Sequence, residues 1–245
     1  MVDPLPLPLL YEGKAKRVYQ TDDPEVLICQ FKDDATAFNA QKKGTIPQKG
    51  QVNGTIAAHL FIYLHQQGIP THFLAQLSPN TLQVKAVTIL PIEVVVRNRA
   101  AGSLCRRLGI ERGRSLSPPL VEFFYKNDDL GDPLVTLDHI QLLHLATPEQ
   151  VEICRQLALR INQHLQHFFQ RCQLELIDFK LEFGLDSQQH LLLADEISPD
   201  TCRLWDLQAS QGDEQRVLDK DLFRFDLGDP AAGYQEVLQR VVSNT

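Results

Sequence analysis

The stretch from Ile177 to Asp206 could do chemistry, because charged side chains recur there at the spacing of a β-strand. Successive side chains of a strand point to opposite faces, so IDFKLEFG predicts one apolar face and one charged face. The apolar face is Ile177, Phe179, Leu181 and Phe183, and the charged face is Asp178, Lys180 and Glu182. A second strand, HLLLADEIS, follows a turn and carries Asp195 and Glu196 at its far end. We therefore expect a hairpin that brings several carboxylates and a lysine together.

Carboxylates held close together repel one another and raise one another's pKa unless a cation lies among them. Oxygen ligands without nearby Cys or His suit magnesium, which binds one or two carboxylates and completes its shell with water and substrate phosphates. The hairpin therefore predicts a magnesium site, and a merely solvated charged face is the alternative. The next segment, SPDTCRLWD, adds Asp200, Arg203 and Asp206 directly after a buried strand, where loops carry function. This segment favours the functional interpretation.

A second candidate site is basic. Six arginines lie between Arg97 and Arg114, in a chain with a net charge of -7. The β-branched run before Arg97 predicts a buried strand and AAGS predicts the start of a short helix, so guanidinium groups and a helix N-terminus converge. The arginine fork pairs bidentately with carboxylate or phosphate, and Ser103 adds a hydroxyl. We expect an anion site at Arg97 and Ser103, with most of the later arginines solvated.

Lysines flank a glycine turn near the N-terminus. LLYEGKAKRVYQT predicts two strands that meet at Gly13, with Lys14 and Lys16 on one side. Such a turn can fold its backbone over phosphates. Neither a Walker loop nor a Rossmann fingerprint is present, so a plain surface hairpin is the alternative.

Two later segments add polar groups. KNDDLGDP follows a strand and offers either candidate substrate contacts or a simple turn. Its candidates are Lys126, Asp128 and Asp132. KDLFRFDLG and GYQEVLQRVV predict two closing helices, the first of which brings Lys220, Asp221 and Arg224 near the site.

The remaining elements predict an α+β fold of two lobes, residues 1–85 and 86–245, with the site in a cleft between them. The first lobe has strands, a helix closed by Gly68, and a polar loop, DDATAFNAQKKGTIPQKG. Lys85 lies near the end of this lobe. In the second lobe, Thr147, Pro148 and Gln150 form a capping box that starts a scaffold helix of about seven turns.

Composition excludes several classes of protein. The net charge of -7 disfavours nucleic-acid or membrane binding through a general basic field. No apolar run is long enough to span a bilayer, and MVDPLPLPLL lacks a basic leader, so we expect a cytoplasmic protein without a signal peptide. The five cysteines are scattered, which disfavours a disulfide framework or a zinc site.

Six motifs in order along the chain closely resemble the SAICAR synthetase family. They are YEGKAK, VVVRNRAAGS, KNDDLGDP, IDFKLEFG, ADEISPDTCRLWD and DKDLFR. The resemblance implies an ATP-dependent ligase of purine biosynthesis that joins L-aspartate to carboxyaminoimidazole ribonucleotide (CAIR) and releases ADP and phosphate. It also implies a two-lobed fold with antiparallel sheets, related to ATP-grasp and kinase-like nucleotide binders, and a homodimer.

The resemblance also implies roles for individual residues. Those expected to bind ATP, with magnesium held by the last two, are Lys14, Lys16, Lys85, Glu182 and Asp195. Those expected to be catalytic are Lys180, Asp178 and Lys14. Those expected to contact CAIR or line its pocket are Arg97, Ser103, Asp178, Lys180, Asp200, Arg203 and Arg224.

Two further expectations concern particular residues. We expect Lys126, Asp128 and Asp132 to help seat L-aspartate or to order its loop. Asp195 shares the strand parity of Leu193, so its role as a metal ligand requires the strand to end or twist there.

Two rival functions use the same features. A small-molecule kinase also needs a glycine hairpin, a lysine and a metal-binding hairpin. The anion site from Arg97 to Ser103 argues against it, because that site suits a nucleotide-like carboxylate substrate. A noncatalytic nucleotide-binding regulator is the second rival, and for it Lys180, Glu182 and Asp195 would be surplus.

Overall fold

The computed structural model describes residues 3–37, 41–209 and 216–244. Its strands are β1 (Leu9–Glu12), β2 (Lys16–Gln20), β3 (Val26–Phe31), β4 (Asp34–Ala37), β5 (Lys42–Thr45), β6 (Phe73–Ser78), β7 (Thr81–Lys85), β8 (Thr88–Arg99), β9 (Ser115–Tyr125), β10 (Leu134–Val135), β11 (Leu174–Leu185), β12 (Leu191–Ala194) and β13 (Cys202–Asp206). Its α-helices are α1 (Lys49–Gln66), α2 (Ser103–Leu108), α3 (Leu137–Leu142), α4 (Pro148–Arg171), α5 (Asp221–Phe225) and α6 (Pro230–Val242).

The first sheet has the strand order β1-β2-β3-β7-β6, and all its pairs are antiparallel. Its predicted hairpin β1–β2 is confirmed, with Gly13 N–H donating to the Lys16 carbonyl at 2.8 Å. The apolar face of α1 covers the sheet, and Ile56, Leu60 and Leu64 are fully buried. The helix begins at Lys49, ahead of the apolar run that predicted it.

The expectation of a long polar loop after β3 is partly wrong. β4 and β5 pair as a separate antiparallel ribbon, with Asp34 opposite Thr45 and Thr36 opposite Lys43. Backbone N–H and C=O groups form such a ladder whatever the side chains are, so polar residues conceal it from pattern analysis. Residues 38–40 lie outside the described residues.

The second sheet has the strand order β10-β9-β8-β11-β12, again antiparallel. β11 is its central strand: β12 pairs with its second half, with Glu182 opposite Ala194, and β13 pairs with its first half, with Asp178 opposite Arg203. The predicted scaffold helix is confirmed as α4, and its capping box joins Gln150 N–H to Thr147 Oγ1 at 3.2 Å. Two closing helices, α5 and α6, are also confirmed.

One face of β11 differs from the prediction at Ile177. The register against β13 shifts between Leu176 and Asp178, which makes Ile177 the extra residue of a bulge. Leu176 and Phe179 lie in the main core, whereas Ile177 packs in a second cluster with Trp205. The prediction that Ile177 shares one face with Phe179, Leu181 and Phe183 is therefore wrong for Ile177.

The main core runs without a break from the first sheet to the second. Phe31 and Ile56 belong to the same buried cluster as Phe179 and Leu193. The lobe boundary between residues 85 and 86 stays a prediction. Across the described ranges, we find no helix with the length and apolar character needed to cross a membrane.

Candidate functional site

The two sheets face each other across a cleft of about 650 Å³. The β1–β2 hairpin, β8, β11 and the segment between β12 and β13 all contribute residues to it. Most candidate site residues from the sequence line this cleft, whereas Ser103, Asp206 and Asp221 do not. The residues that do so are Lys14, Lys16, Lys85, Arg97, Lys126, Asp128, Asp132, Asp178, Lys180, Glu182, Asp195, Glu196, Asp200, Arg203, Lys220 and Arg224.

One end of the cleft holds an acid–lysine cluster. Its members are Lys16, Glu93, Lys126, Lys180, Glu182, Asp195 and Glu196. Glu182 is buried, and its Oε1 accepts Lys180 Nζ at 2.5 Å and Lys126 Nζ at 3.0 Å. Lys180 Nζ also lies 3.6 Å from Asp195 Oδ2. Lysines therefore stand among the carboxylates, as the repulsion between neighbouring carboxylates requires.

Asp195 reaches this cluster because β12 ends just before it. The strand stops at Ala194, and Asp195 has a φ of 61°, in the left-handed region. The strand therefore ends before Asp195, as a role of this residue as a metal ligand would require. Its carboxylate binds Lys16, whose Nζ also lies 3.2 Å from Glu196 Oε1.

The charges of Lys16 and Asp195 stabilise each other. Burial alone would lower the pKa of Lys16, but attraction to Asp195 and Glu196 raises it above its ordinary range. Burial alone would raise the pKa of Asp195, but the ammonium groups of Lys16 and Lys180 hold it well below its ordinary range. Both groups are therefore charged at neutral pH, so the site presents an ionised carboxylate.

The residues present fit a magnesium ion bound together with a substrate. No group of three or more His, Cys, Asp or Glu residues suited to a metal occurs within the described ranges. Magnesium does not need such a cage, because one or two carboxylates plus substrate phosphates and water complete its shell. Glu182 and Asp195 supply two carboxylates that share Lys180 as a common neighbour.

Glu93 is a cluster member that the sequence reasoning missed. It lies opposite Glu182 in the β8–β11 ladder and accepts Lys180 Nζ at 2.9 Å. Burial raises its pKa, and Lys180 opposes that rise. The signal was present, because Glu93 has the same strand parity as Arg97, which also lines the cleft.

The other end of the cleft holds an arginine cluster, defined by Arg97, Asp178 and Arg203. Asp178 Oδ2 accepts Arg97 Nη1 at 2.5 Å, and both its oxygens accept Arg203 Nη1, at 2.9 and 3.0 Å. One carboxylate therefore holds two guanidinium groups toward the cleft. Ser103 lies behind them, with Arg97 Nη2 donating to its Oγ at 3.3 Å.

A glycine allows Arg203 to take this position. Gly102 has a φ of 56°, and a Cβ there would lie 2.6 Å from Arg203 Nη2. Any other residue at 102 would meet both backbone strain and a clash with the guanidinium. This accounts for the glycine in AAGS.

Two of the four candidate residues at the rim, Lys14 and Asp128, pair with each other. Lys14 Nζ donates to Asp128 Oδ1 at 2.6 Å, and both side chains are exposed. Asp132 Oδ1 accepts the Asn127 N–H at 2.9 Å, so it orders its own loop. Lys85 is exposed at the end of β7.

His72 is a further cleft residue that the sequence reasoning did not identify. Its side chain is buried, and its Nε2 has no hydrogen-bond partner among the described residues. Burial, followed by the charge of nearby Lys16, lowers its pKa to about 4, against an effect of Asp195 in the opposite direction. The imidazole is therefore neutral at neutral pH.

His72 should make the protein less stable in mild acid. Its folded pKa lies below the ordinary value of 6.5, so the unfolded chain binds the proton first as the pH falls. The free energy of unfolding should therefore decrease from about pH 6.5 toward pH 4, by at most about 1.4 kcal/mol per pH unit. Urea unfolding at a series of pH values measures this slope.

The control is a second histidine. His72→Gln should flatten the slope, whereas His65→Gln, at an exposed position of α1, should leave it unchanged. Equal slopes in the wild type and His72→Gln would contradict the role of His72.

Comparison with known proteins agrees with this geometry. The chain matches the family model of SAICAR synthetase over residues 9–241. It is 71% identical over 240 residues to a phosphoribosylaminoimidazole-succinocarboxamide synthase from Synechococcus sp. (strain JA-3-3Ab), which covers 98% of this chain and 93% of that relative.

Two solved structures share the fold over nearly the full chain. A phosphoribosylaminoimidazole-succinocarboxamide synthase from Ehrlichia chaffeensis is 44% identical with a TM-score of 0.91, covering 96% of this chain and 98% of that one. A SAICAR synthetase (Type-2) in complex with ADP is 42% identical with a TM-score of 0.90, covering 95% of this chain and 97% of that one. The chain belongs to the SAICAR synthetase family.

Proposed function

We propose that this protein joins L-aspartate to CAIR through an amide bond at the expense of ATP, giving SAICAR, ADP and phosphate. As a member of the SAICAR synthetase family, it is an ATP-dependent ligase of purine biosynthesis. The observation that supports the specific reaction is that one cleft contains both an acid–lysine cluster and an arginine cluster. The first suits a nucleotide with its metal, and the second suits an acidic acceptor.

The nucleotide belongs at the acid–lysine cluster in this proposal. A related SAICAR synthetase has been solved in complex with ADP. Here Lys14 and Lys16 of the glycine hairpin would contact the phosphates, Lys85 would lie at the edge of the nucleotide, and Glu182 and Asp195 would hold magnesium. When bound, the ion would neutralise charge on the transferred phosphoryl group.

CAIR belongs at the arginine cluster. Arg97 and Arg203 form a pair of guanidinium forks that suits phosphate or carboxylate. Asp178 holds both arginines, so it is proposed to position them. Asp200 and Arg224 line the same cleft and are proposed to complete this pocket.

The proposed chemistry follows from what a carboxylate lacks. Its oxygen is a poor leaving group until it carries a phosphoryl group, so CAIR would first become an acyl phosphate. The aspartate amine would then attack the acyl carbon and release phosphate. Phosphoryl transfer of this kind depends mainly on positioning and on charge neutralisation, which Lys180 of the acid–lysine cluster would serve.

Coupled ADP release with each substrate omitted in turn tests the reaction. We expect sustained ADP release only when ATP, magnesium, CAIR and L-aspartate are all present, together with formation of SAICAR. A small-molecule kinase would instead release ADP with an alcohol acceptor and without aspartate. That outcome would contradict the proposal. The family match disfavours the kinase.

We further propose a cytoplasmic homodimer. The proposal rests on composition and on the family resemblance. Light scattering checks the assembly, since a mass of 27.8 kDa, that of one chain, would contradict the dimer.

A further inference from the structure

Lys220 is a cation of the cleft whose role the motifs do not assign. It precedes α5, lines the cleft, and has a side chain that is only 16% exposed. Within the described ranges, the one carboxylate oxygen within 4.0 Å of its Nζ is Asp200 Oδ2, at 4.0 Å. That separation is too long for a hydrogen bond.

Asp200 is already engaged by other groups. Its Oδ2 accepts the buried Lys49 Nζ at 2.7 Å, and its Oδ1 accepts the Tyr234 hydroxyl at 2.5 Å. Lys49 therefore makes the closer contact with the carboxylate that Lys220 approaches, although both ammonium charges act on it. Among the described residues, Lys220 has no carboxylate oxygen within hydrogen-bond distance.

The other buried or partly buried cations of the cleft differ from Lys220 in this respect. Each has a carboxylate oxygen within 3.2 Å: Lys16, Lys180, Arg97, Arg203 and Arg224. Lys85 also has no such partner among the described residues, but it is exposed to water at the end of β7. Lys220 thus combines partial burial, cleft position and the lack of a close counter-ion.

The neighbours of Lys220 make an anion more favourable still. Burial is the largest effect that lowers the pKa of its ammonium, and the positive charges of Arg224 and Lys49 add to it, while the negative charges of Asp200 and Glu196 oppose them. A desolvated cation beside two further cations gains from a bound anion more than a solvated one does.

We propose that Lys220 binds an anionic group, a carboxylate or a phosphate, of a substrate in the amide-forming reaction. The inference rests on the proposed function and adds a binding residue to it. The group comes either from L-aspartate, as one of its carboxylates, or from CAIR, as its phosphate or carboxylate. Lysine can serve each of these as a point charge.

Steady-state ADP release by Lys220→Met tests the assignment, with L-aspartate and CAIR varied separately. Loss of a charge-assisted hydrogen bond should raise one KM by about tenfold or more. Lys220→Arg, which keeps the charge, should recover part of that loss. Arg155→Met, which removes an exposed cation on α4, is the matched control and should behave as the wild type.

The two substrates give distinguishable outcomes. A raised KM for aspartate alone assigns its carboxylate to Lys220, and a raised KM for CAIR alone assigns an acid group of CAIR. If both KM values in an active, folded Lys220→Met enzyme stay within about twofold of the wild type, the proposal is overturned while the ligase function stands. If the wild type itself releases no ADP with all substrates present, both are overturned. Thermal unfolding verifies the fold, and Lys220→Gln replaces the methionine variant if that one does not fold.

Discussion

Glu182→Gln should abolish turnover while the protein stays folded. The substitution keeps the shape of the side chain and removes the negative charge that Lys126 and Lys180 share. Loss of one preorganised charge at a phosphoryl-transfer site should lower kcat by about a hundredfold to a thousandfold. The free energy of unfolding should fall by only about 1 kcal/mol, because Lys180 keeps Glu93 and Asp195 as partners. Coupled ADP release and urea unfolding measure the two effects.

The same strand offers a matched control. Glu175 also lies on β11 and also binds two cations, Arg99 at 2.7 Å and Arg216 at 3.4 Å, but it does not line the cleft. Glu175→Gln should therefore leave kcat unchanged. Full activity in Glu182→Gln, or an equal loss in both variants, would remove Glu182 from the catalytic site.

Local sequence pattern is enough to predict most of the hairpin that supplies Glu182. Alternation places Lys180 and Glu182 on one face of β11, and the requirement that β12 end near Asp195 follows from parity alone. Both are confirmed, because strand periodicity is a local property of the backbone. Lysines stand among the acids, as charge repulsion requires, and the magnesium ion that the hairpin predicts stays a prediction.

What pattern does not predict depends on contacts between distant segments. The bulge at Ile177 reflects the pairing of β11 with β13, which parity within β11 does not contain. The apolar residues of α1 predict the helix but not the role of Lys49 at its start. Lys49 binds Asp200, which lies 151 positions away in sequence. The ribbon β4–β5 has no large apolar side chain to mark its strands. In each case the tertiary fold, and not the local pattern, decides the result.

The two clusters of the cleft also differ in how they depend on burial. In the acid–lysine cluster, Lys126 and Lys180 keep 43% and 27% of their side chains exposed, so water can replace a lost partner. In the arginine cluster, Arg97 and Asp178 are each only 4% exposed. A charge removed from the arginine cluster leaves its partners without solvent, and stability should therefore suffer more there.

Asp178→Asn should accordingly destabilise the protein by about 3 kcal/mol. The amide cannot neutralise Arg97 and Arg203, which then face each other as buried cations. Glu122 still binds Arg97 and Asp221 still binds Arg203, so the loss falls short of unfolding the chain. Urea unfolding near neutral pH measures the change, and the KM for CAIR should rise in the same variant because the two forks lose their shared anchor.

Asp206→Asn is the control that separates burial from pairing. Asp206 also binds an arginine through both oxygens, with Arg240 nitrogens at 2.8 and 3.1 Å, but 17% of its side chain is exposed against 4% for Asp178, and it does not line the cleft. Its loss should cost about 1 kcal/mol or less, since water screens the pair. An equal loss of free energy of unfolding in both variants would mean that burial does not strengthen the ion pairs of the arginine cluster. Asp178 would then hold Arg97 and Arg203 no more firmly than Asp206 holds Arg240.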